Sequence, residues 1–137
     1  MKRTLFLLAA AALAAPLAWA GPYDQPYALI ESGWASPAHK QVPVAVTKID
    51  GKSTRSTMKA DPIPPGKRRV TLSLSSSART VIEEPTKEIE VDTEPCKRYR
   101  IVAHYDVALS GKWDPQMQAV EDIAECKRKF MKNAPAK

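Results

Sequence analysis

The twelve residues from Arg98 to Leu109, Arg-Tyr-Arg-Ile-Val-Ala-His-Tyr-Asp-Val-Ala-Leu, decide the fold. Apolar or aromatic side chains stand at every second position from Tyr99 onward, and both arginines, the histidine and the aspartate stand between them. Because successive side chains of a strand point to opposite faces, this period of two predicts a strand with one buried and one wet face. We expect it to be the longest strand of the protein.

The same alternation recurs elsewhere and predicts an antiparallel all-β fold. Further strands are expected at Tyr27–Glu31, on a sheet edge, at Val42–Ile49, at Val70–Ser75 and around Ile89 and Val91. Asp50-Gly51 is typical of a tight hairpin turn, and Lys52–Met58 of its return arm. Proline is more frequent than glycine, which suits short strands joined by stiff loops.

The first twenty residues have the composition of a secretory signal peptide. A basic start precedes the apolar run Leu5–Leu17 and the small-x-small sequence Ala18-Trp19-Ala20. We therefore expect cleavage after Ala20, a β-sandwich domain over residues 21–126 and a basic C-terminal tail over residues 127–137. The first mature residue is then a glycine and not the cysteine of a lipoprotein. The mature protein is expected in the periplasm or outside the cell, without a transmembrane segment.

The composition of the mature chain bounds its class. Removing Lys2 and Arg3 with the signal lowers the formal net charge from +6 to +4. A short chain with this mild positive charge fits one small domain. This composition excludes a cytosolic enzyme, a protein with several membrane spans and a disordered chain. We expect no nucleic-acid partner.

Both cysteines, Cys96 and Cys126, lie in the predicted mature chain. Two cysteines in an oxidising compartment typically form one disulfide bond, so we expect this pair to be linked. A pair of buried free thiols is the alternative. The scattered spacing of these cysteines and of His39 and His104 matches no zinc site, and we expect neither a metal nor a cofactor.

Two hypotheses compete for the last segment. Asp114 as N-cap, Pro115 as first helical residue, and acidic residues followed by basic ones suit a helix over residues 115–131, which would make the fold α+β. A strand over residues 116–126 is the other hypothesis. Gly111 lies midway between the two cysteines in the turn sequence Ser110-Gly111-Lys112, so a hairpin turning there places the cysteines opposite each other.

The hairpin centred on Gly111 predicts its own pairs. They are Lys97 with Glu125, Tyr99 with Ile123, Arg100 with Asp122, Val102 with Val120 and Tyr105 with Met117. Opposite charges and apolar side chains meet in this register, which favours the strand. One pair, Ile101 with Glu121, does not fit.

Two groups of motifs resemble known bacterial proteins. Asp50-Gly51-Lys52, and Pro64-Pro65-Gly66-Lys67 leading into Val70-Thr71-Leu72, resemble the PEGA-type β-sandwich domains of envelope proteins. Pro95-Cys96-Lys97-Arg98-Tyr99, Trp113-Asp114-Pro115 and Val120-Glu121-Asp122-Ile123 before Cys126 are similar to a set of uncharacterised secreted proteins. The second resemblance implies an immunoglobulin-like sandwich, for which we expect about seven strands. It also favours the strand hypothesis for the last segment and implies no catalytic residue.

No residue pattern predicts an enzyme. The only histidines are His39, in a loop flanked by proline, and His104, on the outward parity of a strand, and no Gly-x-Ser-x-Gly sequence occurs. Ser75-Ser76-Ser77 is typical of a polar loop. The adjacent acids Glu83-Glu84 and Glu121-Asp122 would point to opposite faces of a strand, which suits a charged surface better than acid–base chemistry.

Basic clusters and tryptophans are the remaining candidates for recognition. The candidate anion-binding residues are Lys67, Arg68, Arg69, Lys97, Arg98, Arg100, Lys127, Arg128 and Lys129. They would bind a glycolipid or an acidic polymer of the envelope if they converge, and the alternative is that they are solvated. Trp34 is a candidate interface residue, since exposed tryptophans anchor interfaces, whereas Trp113 is expected in the core.

Three functional hypotheses follow from these residues. The first is a non-catalytic secreted or periplasmic β-sandwich module that binds another envelope protein or packs within an assembly, using a sheet face or edge. The second is a binder of anionic envelope glycolipid or polymer. The third is a small hydrolase or an inhibitor of one. Loss of function on replacing both histidines, with folding intact, would favour the third.

Overall fold

A computed structural model describes residues 21–57, 59–75, 81–107 and 111–132. The predicted signal peptide, Ser76, Ser77 and the last five residues lie outside the described residues. The strands are β1 (Leu29–Ser32), β2 (Gln41–Pro43), β3 (Ala45–Ile49), β4 (Lys52–Ser53), β5 (Gly66–Ser73), β6 (Thr86–Thr93), β7 (Lys97–His104) and β8 (Asp114–Asp122). A short 3-10 helix covers Pro37–His39, and one α-helix, α1, covers Ala124–Phe130. The described chain is therefore mostly β.

β7 is the centre of the first sheet. β8 pairs antiparallel along one side of it. Along the other side β1 pairs with its first half in parallel, and β2 pairs with its second half in antiparallel fashion. The parallel pair departs from the predicted all-antiparallel arrangement. Its physical reason is that the chain reverses direction between β1 and β2, so the two strands meet the same edge of β7 in opposite senses.

The second sheet has the antiparallel order β4, β3, β5, β6. The predicted turn at Asp50-Gly51 is confirmed, with φ angles of 52° and 78°, both in the left-handed region that Asp and Gly tolerate. The predicted strands around Val70 and Ile89 are β5 and β6. The return arm, by contrast, is only the two residues of β4 and ends at Ser53, and Met58 lies outside the described residues.

The inward side chains of both sheets form one apolar cluster. Its buried members are Ala28, Ile30, Val44, Val46, Val70, Leu72, Val91, Tyr99, Ile101, Ala103 and Trp113. The predicted continuous strand Val42–Ile49 is wrong, because the chain passes from the first sheet to the second at the buried Val44. The burial expected for Trp113 is confirmed, and its indole N–H donates to the Glu84 carbonyl at 2.8 Å.

β7, which was predicted from the alternation over Arg98–Leu109, is shorter than expected. Tyr99, Ile101 and Ala103 point into the core as expected, but β7 ends at His104, and Ala108 and Leu109 lie outside the described residues. Among the described residues the longest strand is β8, with nine residues.

Both hypotheses for the last segment are right in part. The strand hypothesis is confirmed through Asp122, and the helix hypothesis is wrong for residues 115–122 but right for Ala124–Phe130. Pairing with β7 satisfies the backbone groups on one side of the segment and, with the packing of its core face, overrides its local helix signals. The helix also occupies residues 127–130, which were predicted as part of a basic tail.

The predicted hairpin register is wrong. Lys97 faces Asp122, Tyr99 faces Val120, and Ile101 faces Met117. Cys126 still meets Cys96, with their Cα atoms 5.3 Å apart, because the chain turns into α1 after β8 and does not continue as a strand. The register also shifts between Arg100 and Ile101, where β8 carries one extra residue, Gln118.

Candidate functional site

The outer face of β7 is partly covered by the chain segment that follows β1. Val102 points away from the core by strand parity, yet it is completely buried. The reason is that Gly33 lies over it. A Cβ added at Gly33 would clash with Val102 Cγ1 and with the Gln118 side chain, so only glycine lets the backbone cross here. The segment then presents Trp34 on the outer face.

Gln118, the extra residue of the bulge, holds the backbone of Trp34 from both sides. Its side-chain Oε1 accepts the Trp34 N–H at 2.8 Å, and its Nε2 donates to the Trp34 carbonyl at 2.9 Å. The same Nε2 donates to Gln41 Oε1 at 3.0 Å, which links the segment to β2. The bulge therefore directs an amide that fixes the position of Trp34.

The indole ring of Trp34 lies on the guanidinium of Arg100. The guanidinium carbon is 4.0 Å from the ring centroid, a distance typical of a cation–π contact. Glu31 Oε1 lies 2.7 Å from Arg100 Nη1, and Glu121 Oε2 lies 3.2 Å from its Nε. Two carboxylates thus hold the cation on which the ring rests.

Arg98 lies two residues before Arg100 on the same face of β7 and also approaches Glu31. Its Nε lies 3.2 Å from Glu31 Oε1, but this pair is not aligned as a hydrogen bond, so the buried Nε contributes charge attraction only. We call Glu31, Trp34, Arg100 and Gln118 the Trp34 platform. Trp34 remains 55% exposed while its backbone and one ring face are both held.

The predicted anion-binding residues lie in different parts of the molecule, and acids are placed among them. Lys67, Arg68 and Arg69 lie on β5 of the second sheet. Arg68 Nη1 bonds Asp50 at 2.9 Å, and Lys67 lies 3.8 Å from Glu90. These acids reduce the positive potential of the cluster.

The other two basic clusters meet at one end of the first sheet. Lys97 on β7 and Lys127 on α1 both contact the Asp122 carboxylate, at 2.6 and 2.7 Å. Hydrogen bonds from Lys127 and Lys97 lower the pKa of Asp122 below its usual value, and the bond to Asp122 raises the pKa of Lys97. Arg128 and Lys129 follow on the same helix, and Lys129 lies 3.6 Å from Asp24.

The two histidines lie on neighbouring segments of the chain. His39 ends the 3-10 helix, is exposed, and its Nδ1 lies 2.7 Å from Ser36 Oγ. His104 ends β7 opposite Gln41 and Asp114. Ser75 is exposed at the end of the described stretch.

A disulfide joins Cys96 to Cys126, as predicted. Both cysteines are buried, together with Tyr27 and Ile123, in a second small apolar cluster under α1. Burial raises the pKa of Tyr27 above its usual value of 10.0, and the nearby Glu125 adds to this shift. The disulfide thus anchors α1 next to the start of β7, the central strand of the first sheet.

No protein-family model, curated protein or solved structure matches the chain. No helix among the described residues is long and apolar enough to cross a membrane.

The sequence predicts Trp34 as a candidate interface residue but does not indicate what holds it. Arg100, a candidate anion-binding residue, contacts Trp34, Glu31 and Glu121 in the structure. Gln118 and Glu31 carried no signal in the sequence, because their roles depend on a bulge and on a parallel strand pair that the local pattern does not specify.

Proposed function

We propose that this chain is a non-catalytic secreted or periplasmic module that binds another protein of the envelope through the Trp34 platform. One observation carries the proposal: Trp34 stays more than half exposed although its backbone and one ring face are fixed by Gln118 and Arg100. A half-exposed aromatic ring contributes little to stability through burial, whereas a ring held in place on the surface is well prepared to bind a partner.

The energetics of interfaces support this proposal. Tryptophan and arginine are enriched among the residues that dominate binding energy. A side chain ordered before binding loses less conformational entropy when a partner covers it. The partner would gain the apolar surface of the free ring face, and the interaction would tolerate salt because its anchor is apolar.

The architecture and location form part of the same proposal. An immunoglobulin-like or PEGA-like sandwich, exported by a signal peptide cleaved after Ala20, is compatible with two sheets around one cluster and with a buried disulfide. The exported module would present its first sheet, with Trp34 on the outer face, to the partner.

Binding to anionic glycolipid or polymer is the weaker candidate. Asp122 lies between Lys97 and Lys127, and Asp50 pairs with Arg68, so several of the predicted cations already have an acidic neighbour. These neighbouring carboxylates offset part of the positive charge that an anion would meet.

The test compares variants of the tagged mature protein in affinity capture from envelope extract, at low and high salt, with mass spectrometry of retained proteins. Trp34→Ala is expected to lose the partner at both salt concentrations. Tyr23→Ala is the matched control, since Tyr23 is also an exposed aromatic residue, at 53% exposure, and is expected to keep it. Equal retention by Trp34→Ala and the wild type would contradict the proposal, as would recovery of anionic lipid alone.

A second variant separates the effect of the fixed Trp34 backbone from the effect of the contact that its ring makes with a partner. Gln118→Ala keeps the indole ring but removes both hydrogen bonds to the Trp34 backbone. We expect weaker capture than the wild type and stronger capture than Trp34→Ala, because the ring must then be ordered by the partner. Circular dichroism and thermal unfolding of each variant check that the fold is kept.

A further inference from the structure

β8 is a long edge strand. It pairs with β7 on one side, and in the described part of the chain no strand pairs with its other side. The Ile123 N–H donates to the Cys96 carbonyl at 2.9 Å. Since N–H groups alternate along a strand, those of Val120 and Asp122 point away from β7. This side of β8 therefore presents unpaired backbone groups.

The other described edges are short or charged along their whole length, whereas β8 is long and uncharged in its middle, even though it carries Pro115 and the bulge at Gln118. β4 has two residues, and β1 and β2 have four and three. β6 is long, but charges occupy Lys87, Glu88, Glu90 and Asp92 along it. Natural proteins use short strands and charges to keep sheet edges from pairing. The stretch of β8 from Pro115 to Val120 contains no charged residue.

Two apolar side chains of β8 remain uncovered. Met117 and Val120 face Ile101 and Tyr99 across the β7–β8 pair, and so lie on the core face of the sheet. They are nevertheless 40% and 50% exposed, because they lie at its margin. A strand added to β8 would cover them and remove apolar surface from water.

Both ends of β8 itself carry an acid, Asp114 and Asp122, but the ion-pair groups around these two acids differ in net charge. At its end, Asp122 contacts Lys97 and Lys127, a triad with a net charge of one positive unit. At its start, Lys87 lies 3.6 Å from both Asp114 and Glu84, a triad with a net charge of one negative unit. An antiparallel second copy of β8 would place each triad next to the opposite triad of its partner. A parallel copy would place like charges together.

We propose that β8 pairs antiparallel with β8 of a second copy of this chain, which joins the two first sheets across a two-fold axis. The two copies supply each other with backbone hydrogen bonds, with cover for Met117 and Val120, and with complementary charge. A contact made only by two edge strands is small beside the roughly 1,600 Å² of a standard interface, so we expect the dimer to form at high protein concentration and to dissociate on dilution. This proposal is independent of the Trp34 platform.

The first experiment measures mass in solution by sedimentation equilibrium of the mature disulfide-bonded protein, from about 1 µM to about 1 mM. The wild type is expected to pass from monomer to dimer. Val120→Lys places a charge on the edge and is expected to weaken association at least about tenfold. Val81→Lys is the control, since Val81 is 79% exposed and outside the strands, and it is expected to match the wild type. Trp34→Ala should also match it.

The second experiment tests the orientation by charge reversal. Lys127→Glu alone and Glu84→Lys alone each make the facing triads alike and are expected to weaken the dimer. The double variant Lys127→Glu/Glu84→Lys makes them opposite again and is expected to restore association. Added salt should weaken the wild-type dimer.

Three results would overturn the proposal: a wild type that stays monomeric throughout the concentration range, a dimer that Val120→Lys leaves unchanged, or a double variant no tighter than the single ones. A folded Met117→Lys variant provides a second test of the edge if Val120→Lys does not fold. It is expected to weaken association in the same way, because Met117 lies on the same uncovered margin.

Discussion

Asp50 illustrates how one side chain can set a turn and also join two neighbouring strands. Its carboxylate accepts the backbone N–H of Arg69 at 2.9 Å and bonds Arg68 Nη1 at 2.9 Å. These two bonds, the backbone one being the larger cause, lower the pKa of Asp50 below its usual value. The Asp50-Gly51 turn was predictable from sequence, whereas the contacts to β5 depend on strand register.

Replacing Asp50 by alanine is expected to lower the free energy of unfolding by about 1 to 2 kcal/mol, because it removes both bonds and places alanine at a positive φ. Asp50→Asn is the matched control. It tolerates the same backbone conformation and keeps an acceptor for the Arg69 N–H, so it should lose less. Urea unfolding of both variants at neutral pH measures the difference, and equal losses would contradict the role of the backbone bond.

The lowered pKa values of Asp50 and Asp122 predict a dependence of stability on pH. Both carboxyls have a lower pKa folded than unfolded, so their contribution is complete above the unfolded value, about 4, and is lost as pH falls through the folded pKa. Asp122→Asn removes one of these groups. We expect its unfolding free energy to fall less steeply than that of the wild type between about pH 5 and about pH 2. An identical slope for the two proteins would contradict the assignment.

At the scale of elements, α1 depends on tertiary contacts. It has seven residues and no side-chain cap at its start, and isolated helices of this length are unstable in water. Cys126 is its one fully buried residue, and Phe130 is partly buried against the same cluster. The disulfide therefore keeps this helix on the sheet.

Replacing both cysteines, Cys96→Ala/Cys126→Ala, is expected to lower the free energy of unfolding by roughly 3 to 4 kcal/mol, since the bond closes a loop with a sequence separation of 30. Hydrogen exchange of the folded variant should show lost protection in α1. Amides of β5, in the second sheet, serve as the internal control and should keep their protection. Unchanged exchange in α1 would mean that packing alone holds the helix.

At the scale of elements, the β7–β8 hairpin also shows where a sequence argument fails. Symmetry about Gly111 predicted a pairing that brings the cysteines together, and the cysteines do meet. The register is nevertheless different, because Gln118 is an extra residue in β8 and the chain bends into α1 before Cys126. The disulfide was therefore predicted correctly even though the predicted register of the two strands was wrong.

At the scale of the whole molecule, the two sheets are held together by their shared apolar cluster. Leu72 on β5 and Ile101 on β7 are both completely buried in it, one from each sheet. Burial of such side chains is the main favourable contribution to folding. Substitutions here therefore affect both sheets together.

Leu72→Ala is expected to lower the free energy of unfolding by about 2 to 5 kcal/mol, because it leaves a cavity between the sheets. Val81→Ala, at an exposed position, should change it by less than about 0.5 kcal/mol. Urea unfolding should show a single transition for each variant. Two separate transitions would indicate that the two sheets unfold independently.

The sequence by itself determined that strands form around Leu29, Val70, Ile89 and Ile101, where the Asp50-Gly51 turn lies, that Trp113 is buried, and that Cys96 pairs with Cys126. The alternation of a strand and the residues of a turn can be identified from neighbouring positions. The disulfide follows from the presence of two cysteines in a chain predicted to be exported. Only the tertiary structure decided the parallel pairing of β1, the division of Val42–Ile49 between two sheets, the bulge at Gln118 and the strand-to-helix change after Asp122. Each of these follows from contacts between segments far apart in the chain, where the burial of Val44 and Val102 and the placement of Trp34 on Arg100 outweigh local preference.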